Sequence, residues 1–366
     1  MTERRMRANP GGEISPEDVV GRDHLIERTW DALQRQSLVM VAERRIGKTT
    51  VVKKMRSATP EGINLIYRDV EGLRTPLEFA EAVAQDVEER LSGRHQGVAK
   101  LRRLFSHLSG AEIAGVLKFP AAMGQHWRSL LEAAIEDLMQ SDAGAVYVFV
   151  WDELPLMLEK MLAGADGRTT MDVLDTLRSL RQTHANLRMI YTGSVGLHHV
   201  LAQLRAVGYR NDPTNDMRTV DVGELRAQDG SRLALALLQG EELRCADPVA
   251  IARAISQAVD HVPYYIHLVV ARMRDRGGDA TEALADSIVR EALVDAQDAW
   301  HLQHYRERLE GRYGEDRVAV VLAVLDQLAH AAAPMAFDDI AQSVRAAVPR
   351  ERTLIQRWWM VQRARR

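Results

Sequence analysis

The sequence predicts an α/β fold, with a mostly parallel sheet covered by helices on both faces, followed by a helical region and a small helical unit. Three observations predict it. Short apolar runs alternate with stretches of helical period up to about residue 224. Gly47-Lys48-Thr49 stands where an apolar run gives way to a helix. The strongest apolar run, 145–151, ends in Asp152-Glu153. Strands that alternate with helices pair in parallel, and a strand apolar on both faces belongs in the middle of such a sheet.

The elements follow in chain order. Residues 1–15 are charged, have no apolar core and read as a flexible leader, not a secretion signal. Residues 16–36 read as a helix, with Ile26, Trp30 and Leu33 at helical spacing. The first strand is 37–42, and a helix from the Gly-Lys-Thr segment continues to 55. A second strand, 64–70, leads into Asp69, Glu71 and Gly72. The stretch 75–141 is a mostly helical insert: Pro76 suits a first turn, Leu77, Phe79, Val83 and Val87 repeat helically, and 127–139 is amphipathic, while 93–124 is irregular. After the 145–151 strand come a helix at 169–183, a strand at 187–192 closed by Gly193-Ser194, and a fifth strand at 218–222. Beyond 224, the segments 231–238, 248–259, 263–274 and 280–303 read as helices with no strand between them. A last unit begins near Tyr313, with helices at 317–330 and 337–344 and a third after Glu351, lengths that fit a helix-turn-helix bundle. The expected division is a leader at 1–15, a core at 16–224 with its insert at 75–141, a helical domain at 225–305 and a terminal unit at 306–366.

Composition narrows the function. With 46% apolar and 27% charged residues over 366 positions, large-scale disorder is excluded. The lone Cys245 excludes a disulfide framework and a cysteine-rich zinc site. No run approaches the ~20 apolar residues of a membrane span, so a cytoplasmic protein without a membrane span is expected. Fourteen methionines against five phenylalanines suggest a core of aliphatics and Met. His301 and His304 are three apart, yet no carboxylate at ligand spacing completes a metal site with them. The net charge of -3 excludes a general nucleic-acid adsorber, but the segment 341–366 carries seven arginines against one acid, Glu351.

The phosphate chemistry is concentrated in two places. Triphosphate oxygens seek backbone N–H groups converging at a helix amino terminus. Gly47 lets the backbone come close, Lys48 supplies a point charge, and Thr49 offers a hydroxyl to Mg2+. The full pattern has a further glycine five residues before Gly47, where this chain has Ala42. Such a loop predicts an acid at the end of another central strand. Asp152 would hold Mg2+ through water and Glu153 would polarise the attacking water. Thr192 and Ser194, at the end of the next strand, are candidates to touch the γ-phosphate or orient that water. A transition-state arginine is sought among Arg178, Arg181, Arg205 and Arg210. Arg210, in the exposed-looking Gly208-Tyr209-Arg210, is the leading candidate, although forty-two arginines against six lysines reduce the weight of any one.

These blocks together resemble the archaeal-type ATPase family of AAA+/STAND-related P-loop ATPases. The matching strings are Val20-Gly21-Arg22-Asp23 with Ile26 and Glu27, Arg44-Arg45-Ile46-Gly47-Lys48-Thr49-Thr50, Tyr67 to Gly72, Phe149 to Glu153, Met189 to Ser194, and His261-Val262-Pro263-Tyr264-Tyr265, with His261 where the family usually has glycine. The resemblance implies a P-loop NTPase sheet of AAA+ type, a helical lid over 225–305 and a winged-helix-like terminal domain. It implies ATP and Mg2+ as ligands, Gly21 and Arg22 near the base, Arg45, Ile46 and Thr50 in the phosphate loop, and Pro263 near the nucleotide in the lid. The expected function is ATP hydrolysis that drives a conformational switch. Two alternatives stand beside it: an ATP-holding scaffold with negligible turnover, favoured by Ala42 and His261, and an oligomeric DNA translocase or loader. The basic tail, with Trp358 and Trp359, fits DNA or a partner protein equally. The oligomeric state and the pathway are not legible.

Overall fold

The computed structural model describes residues 5–91, 126–142, 144–164, 167–193, 196–295, 315–331 and 333–347, with a few single positions between 297 and 313. The chain divides into two compact units, Met1–Asp286 and Ser287–Arg366.

The first unit is built on five parallel strands in the order 5-1-4-3-2: β1 Leu38–Val41, β2 Ile63–Asp69, β3 Val146–Asp152, β4 Leu187–Thr192 and β5 Arg218–Asp221. All five sit where the apolar runs place them. The alternation along β3 explains its position. Tyr147, Phe149 and Trp151 enter one core and Val148 and Val150 the other, so both faces must be covered. The larger core is closed by helices α3 Pro76–Leu91, α4 Trp127–Ser141, α5 Leu154–Gly164, α6 Gly167–Thr183 and α7 Leu197–Ala206. The smaller one is closed by α1 Asp23–Leu33 and α2 Lys48–Ser57.

Several expectations change on inspection. The 16–36 helix is broken into a 3-10 turn, Pro16–Asp18, and α1, because Gly21 takes φ +73° between them. The insert resolves into α3 and α4 packed on each other, and its middle, 92–125, lies outside the described residues. The helices α5 and α7 are additional. The residues α5 buries (Leu154, Pro155, Met157, Leu158, Met161) share one face, but Leu156 and Ala163 carry apolar side chains round to the other face and mask the period in the sequence. The core is also more aromatic than the phenylalanine count suggests. Trp151 lies at its centre, with ring centroids of Phe79, Phe149 and Tyr191 at 5.0, 5.5 and 5.9 Å.

After β5, α8 Ala227–Gly240 packs on α9 Pro248–Ala258 and α10 Pro263–Arg276. Asp247 caps α9 by accepting from the amides of Val249 and Ala250. This region is not strand-free as expected: β6 Arg244–Cys245 and β7 Asp279–Ala280 pair in parallel. Helix α11 Glu282–Val294 follows. In the second unit, α12 Glu315–His330 packs against α13 Phe337–Ala347. The expected third helix after Glu351, and most of the arginine-rich tail with Trp358 and Trp359, lie outside the described residues. Among the described residues no helix is long and apolar enough to cross a membrane.

Residues 5–15, read from composition as a free leader, are held in the structure. The Ala8 amide donates to Glu241 Oε1 at 2.7 Å, and Arg7 pairs with Oε2 of the same residue at 3.2 Å. The Asn9 amide donates to Nδ1 of His267 at 3.2 Å. Burial pushes the His267 imidazole down to about 4, so it stays a neutral acceptor.

Two predictions follow from this packing. The Arg181 guanidinium is buried, forks onto Asp216 at 2.9 and 3.0 Å and donates to the Tyr191 hydroxyl and the Pro213 carbonyl. Burial pushes the Tyr191 phenol up to about 12, so its hydroxyl stays protonated. Arg181→Met strands that acceptor set and is expected to lower stability by about 3 kcal/mol, read from the urea midpoint. His267 binds more protons unfolded than folded between its depressed value and the ordinary 6.5. Stability is therefore whole above about pH 6.5 and falls as pH drops toward 4, by on the order of 3 kcal/mol. Denaturant titrations across that range should show the slope, and His267→Asn, which keeps an acceptor, should flatten it.

Candidate functional site

Parallel strands bring their carboxyl ends to one edge, and β4 lies between β1 and β3. The loop after β1, the acid pair after β3 and Thr192 at the end of β4 therefore meet there, the place where α/β sheets bind ligands.

The phosphate loop enters α2 through two left-handed residues. Gly47 has φ +95° and is the N-cap of α2; Arg45 has φ +71°. Ala42 is not left-handed, so glycine is not required of its backbone, which accounts for the departure from the full motif. The Lys48 side chain turns back across the loop and Nζ donates to the Ala42 carbonyl at 3.3 Å, with the residue only 7% exposed. Ile46 is in the core, and its carbonyl accepts from Arg22 Nη2 at 2.9 Å. Arg22 Nη1 donates to the Gly223 carbonyl at 2.8 Å. Arg22 is thus a buried staple between the phosphate loop and the exit of β5, and burial holds its guanidinium below the usual range. Gly21 is pressed against Asp229, where a Cβ would crowd the carboxylate side chain.

Asp152 is 2% exposed. Its Oδ2 accepts from Thr49 Oγ1 at 2.7 Å and from the Tyr67 hydroxyl at 3.2 Å, and its Oδ1 from the Glu153 amide at 3.2 Å. Tyr67, on β2, is the residue that the motif reading passed over. Its signal was the register, since Asp69 pairs with Asp152 and the tyrosine lies two residues earlier. Burial, then the neighbouring Asp152 charge, holds the Tyr67 phenol above its usual range, so it is a donor here. Glu153 is left-handed, φ +59°, and its carbonyl accepts the amides of Leu156 and Met157 at 3.1 Å each. That turn starts α5 and keeps Glu153 half-buried beside Asp152. Thr192 is 1% exposed, and its hydroxyl has no hydrogen-bond partner among the described residues.

The other candidates divide. Thr50 follows Thr49 in the first turn of α2, half-buried. Pro263 opens α10, and the next residue, Tyr264, lies under the Arg45 guanidinium, 4.6 Å from the ring centroid. His261 has φ +59°, a conformation that favours glycine. Its ring is tied to Ser256 Oγ at 2.8 Å, and its carbonyl accepts from Leu225 at 3.2 Å. Ser194 lies outside the described residues. Arg210 is exposed in the loop between α7 and β5, which runs along α6 through the Asn211–Asp175 and Arg178–Asp212 hydrogen bonds. That is the face of the sheet opposite α2, so the structure does not bring Arg210 to Lys48 of its own chain. Arg181, buried on Asp216, is not available as a finger.

The residues fit a nucleotide phosphate and its metal. The buried lysine stands at the start of a helix, a hydroxyl and a carboxylate face each other, and an orphaned buried hydroxyl borders the same edge. No cluster of three His, Cys, Asp or Glu among the described residues is placed to hold a metal alone. A divalent ion here would share its coordination with phosphate oxygens.

The family model described as AAA domain matches residues 32–201. No curated protein matches the sequence. The fold is similar to the Walker-type ATPase Paby2304 of Pyrococcus abyssi, with a TM-score of 0.53 at 17% identity over 90% of each chain. It is also similar to the ORC2 protein of Aeropyrum pernix in its ADPNP-ADP complexes, with a TM-score of 0.52 at 12% identity over 92% of this chain and 82% of that one. At these identities the likeness is one of fold. The span similar to that family, under half of the chain, holds the loop after β1, the acid pair after β3 and Thr192 of β4.

Proposed function

We propose that the chain binds ATP with Mg2+ at the start of α2, hydrolyses it, and uses the change from ATP to ADP to alter how the helices after β5 hold the nucleotide. The observation that carries this reading is the Thr49–Asp152 hydrogen bond, which joins phosphate loop to acid strand beside a buried lysine. In this reading the first amides of α2 and Lys48 hold phosphate oxygens. Thr49 and Asp152 hold the metal, which when bound neutralises phosphate charge as a Lewis acid. Glu153 takes the proton of the attacking water, and the Thr192 hydroxyl, with Ser194 beside it in sequence, orients that water or the terminal phosphate. Gly21, Arg22, Arg45, Ile46, Thr50 and Pro263 shape the surroundings.

Two observations weigh for turnover over the scaffold alternative, which rests on Ala42 and His261. Ala42 stands on ordinary backbone, and the left-handed His261 is anchored by its own ring. A switch requires that ATP and ADP favour different arrangements, and the Arg45–Tyr264 stack is the contact through which the loop would report its occupant to α10. Arg210 would act on a neighbouring copy. A DNA-linked role rests on the basic tail alone and is one arm of the same assay.

Phosphate release from Mg2+-ATP, with and without duplex DNA, tests this. Lys48→Ala should lower turnover by about 10²-fold or more, as loss of a preorganised charge contact does. Glu153→Gln should lower it by about 10²–10⁴-fold while ATP is still held. Wild-type turnover in either variant would overturn the assignment. Tyr67→Phe removes one of the hydroxyl donors to Asp152 without changing its volume much. It should raise the Mg2+ needed for half-maximal ATP binding about tenfold, the scale of outer-contact changes at metal sites, and leave Mg2+-free ATP binding unchanged.

A further inference from the structure

We infer that residues 5–14 are a clasp: the groove between α8 and α10 is a docking site for the chain's own amino-terminal segment, and its docking slows release of the bound nucleotide. The second half of this statement rests on the nucleotide reading above; the first does not.

The groove is shaped for an extended peptide that carries arginines. Glu241, just past α8, has a side chain only 1% exposed and three donors around it: the Ala8 amide at 2.7 Å, Arg7 at 3.2 Å and Arg274 of α10 at 3.3 Å. A buried carboxylate needs such donors, and two of the three belong to the segment. Arg5 pairs with Glu242 next to it. Gly240 marks how close the segment lies, since a Cβ there would overlap the Met6 carbonyl. About two turns earlier on α10 than Arg274, His267 accepts the Asn9 amide. The segment is therefore read through its backbone at Met6, Ala8 and Asn9 and through its charge at Arg5 and Arg7.

The far end of the same segment reaches the nucleotide side. Gly11 lies over Tyr264, where a Cβ would stand 3.7 Å from the ring, and the same ring also carries Arg45 of the loop after β1. Glu13 pairs with Lys53 on α2 at 2.7 Å. Lys54 of α2 donates to the Val19 carbonyl at 2.9 Å, just beyond. The segment thus ties α8 and α10 to the helix that carries the phosphate site. Its packing is incomplete. An open pocket of about 230 Å³ is lined mainly by the segment itself, with Ser15, Asp18 and His267 completing it, so the segment is not close-packed along its whole length.

Gly240→Ala in the full chain tests the proposal. Gly240 ends α8 without a left-handed φ, so alanine suits the helix and obstructs only the docked segment. Two rates are read: tryptic cleavage at the Arg7–Ala8 bond and release of a fluorescent ATP analogue. Both should rise about tenfold, the equivalent of one lost charge-assisted hydrogen bond. Glu241→Gln, which keeps the shape and removes the charge, should move both in the same direction by less. An unchanged melting temperature for Gly240→Ala shows that the fold is intact. Cleavage unchanged in Gly240→Ala would overturn the docking. Faster cleavage with unchanged release would overturn the coupling. Should the wild type hold the analogue no better than Lys48→Ala, the nucleotide reading fails and the coupling falls with it, while the cleavage rate still decides the docking.

Discussion

A carboxylate almost wholly removed from water sits at the junction of three strands, and much of the first unit is arranged to satisfy it. Asp152 is tolerable where it is because Thr49, Tyr67 and the Glu153 amide each donate to it. Those donors come from α2, from β2 and from the left-handed turn after β3. They converge only if the strands run parallel and end together. Parallel strands in turn demand crossover helices, and the two cores, one on each face of the sheet, are what those helices bury. The site and the fold are therefore one constraint.

Much of this was legible. The three inner strands follow from apolar runs, because strands covered on both faces have little place for polar residues, whereas the edge strands β2 and β5 are half-buried or exposed and carry polar residues. That Gly47-Lys48-Thr49 and Asp152-Glu153 come together was legible because one follows β1 and the other β3 at the same edge of a parallel sheet. What the sequence hid was set by distant partners. Tyr67 reads as one more apolar strand residue until register places it beside Asp152. The resemblance puts Arg22 near the base, but no sequence pattern shows that its guanidinium lies between the carbonyls of Ile46 and Gly223, one of them about two hundred residues away. His261 reads as a departure from glycine, and its φ explains both the usual glycine and the ring anchor that replaces it. The leader illustrates the same limit. A charged stretch with little apolar content suggests free chain, yet its partners, Glu241 and His267, are more than two hundred positions away.

One contact between the helices after β5 and the loop after β1 is a stack, and the backbone on both sides of it is left-handed. Arg45 and His261 both hold left-handed backbone, and Arg45 lies over Tyr264. Strained residues persist when their surroundings fix them, and they are well placed to respond when one of those contacts changes. The amino-terminal segment adds a second tie between the same two parts. In the proposed reading, the occupant of that loop and the position of α10 would be two readings of one equilibrium.

The central claim is that Thr49 and Asp152 form the metal half of a nucleotide site. The most direct measurement is calorimetric titration of ATP into the chain with Mg2+ and with EDTA, beside Asp152→Asn. The account predicts that Mg2+ tightens ATP binding, and that Asp152→Asn loses that increment, about 10–100-fold, while Mg2+-free binding is kept. ATP binding that is the same with and without Mg2+, and indifferent to Asp152→Asn, would contradict it.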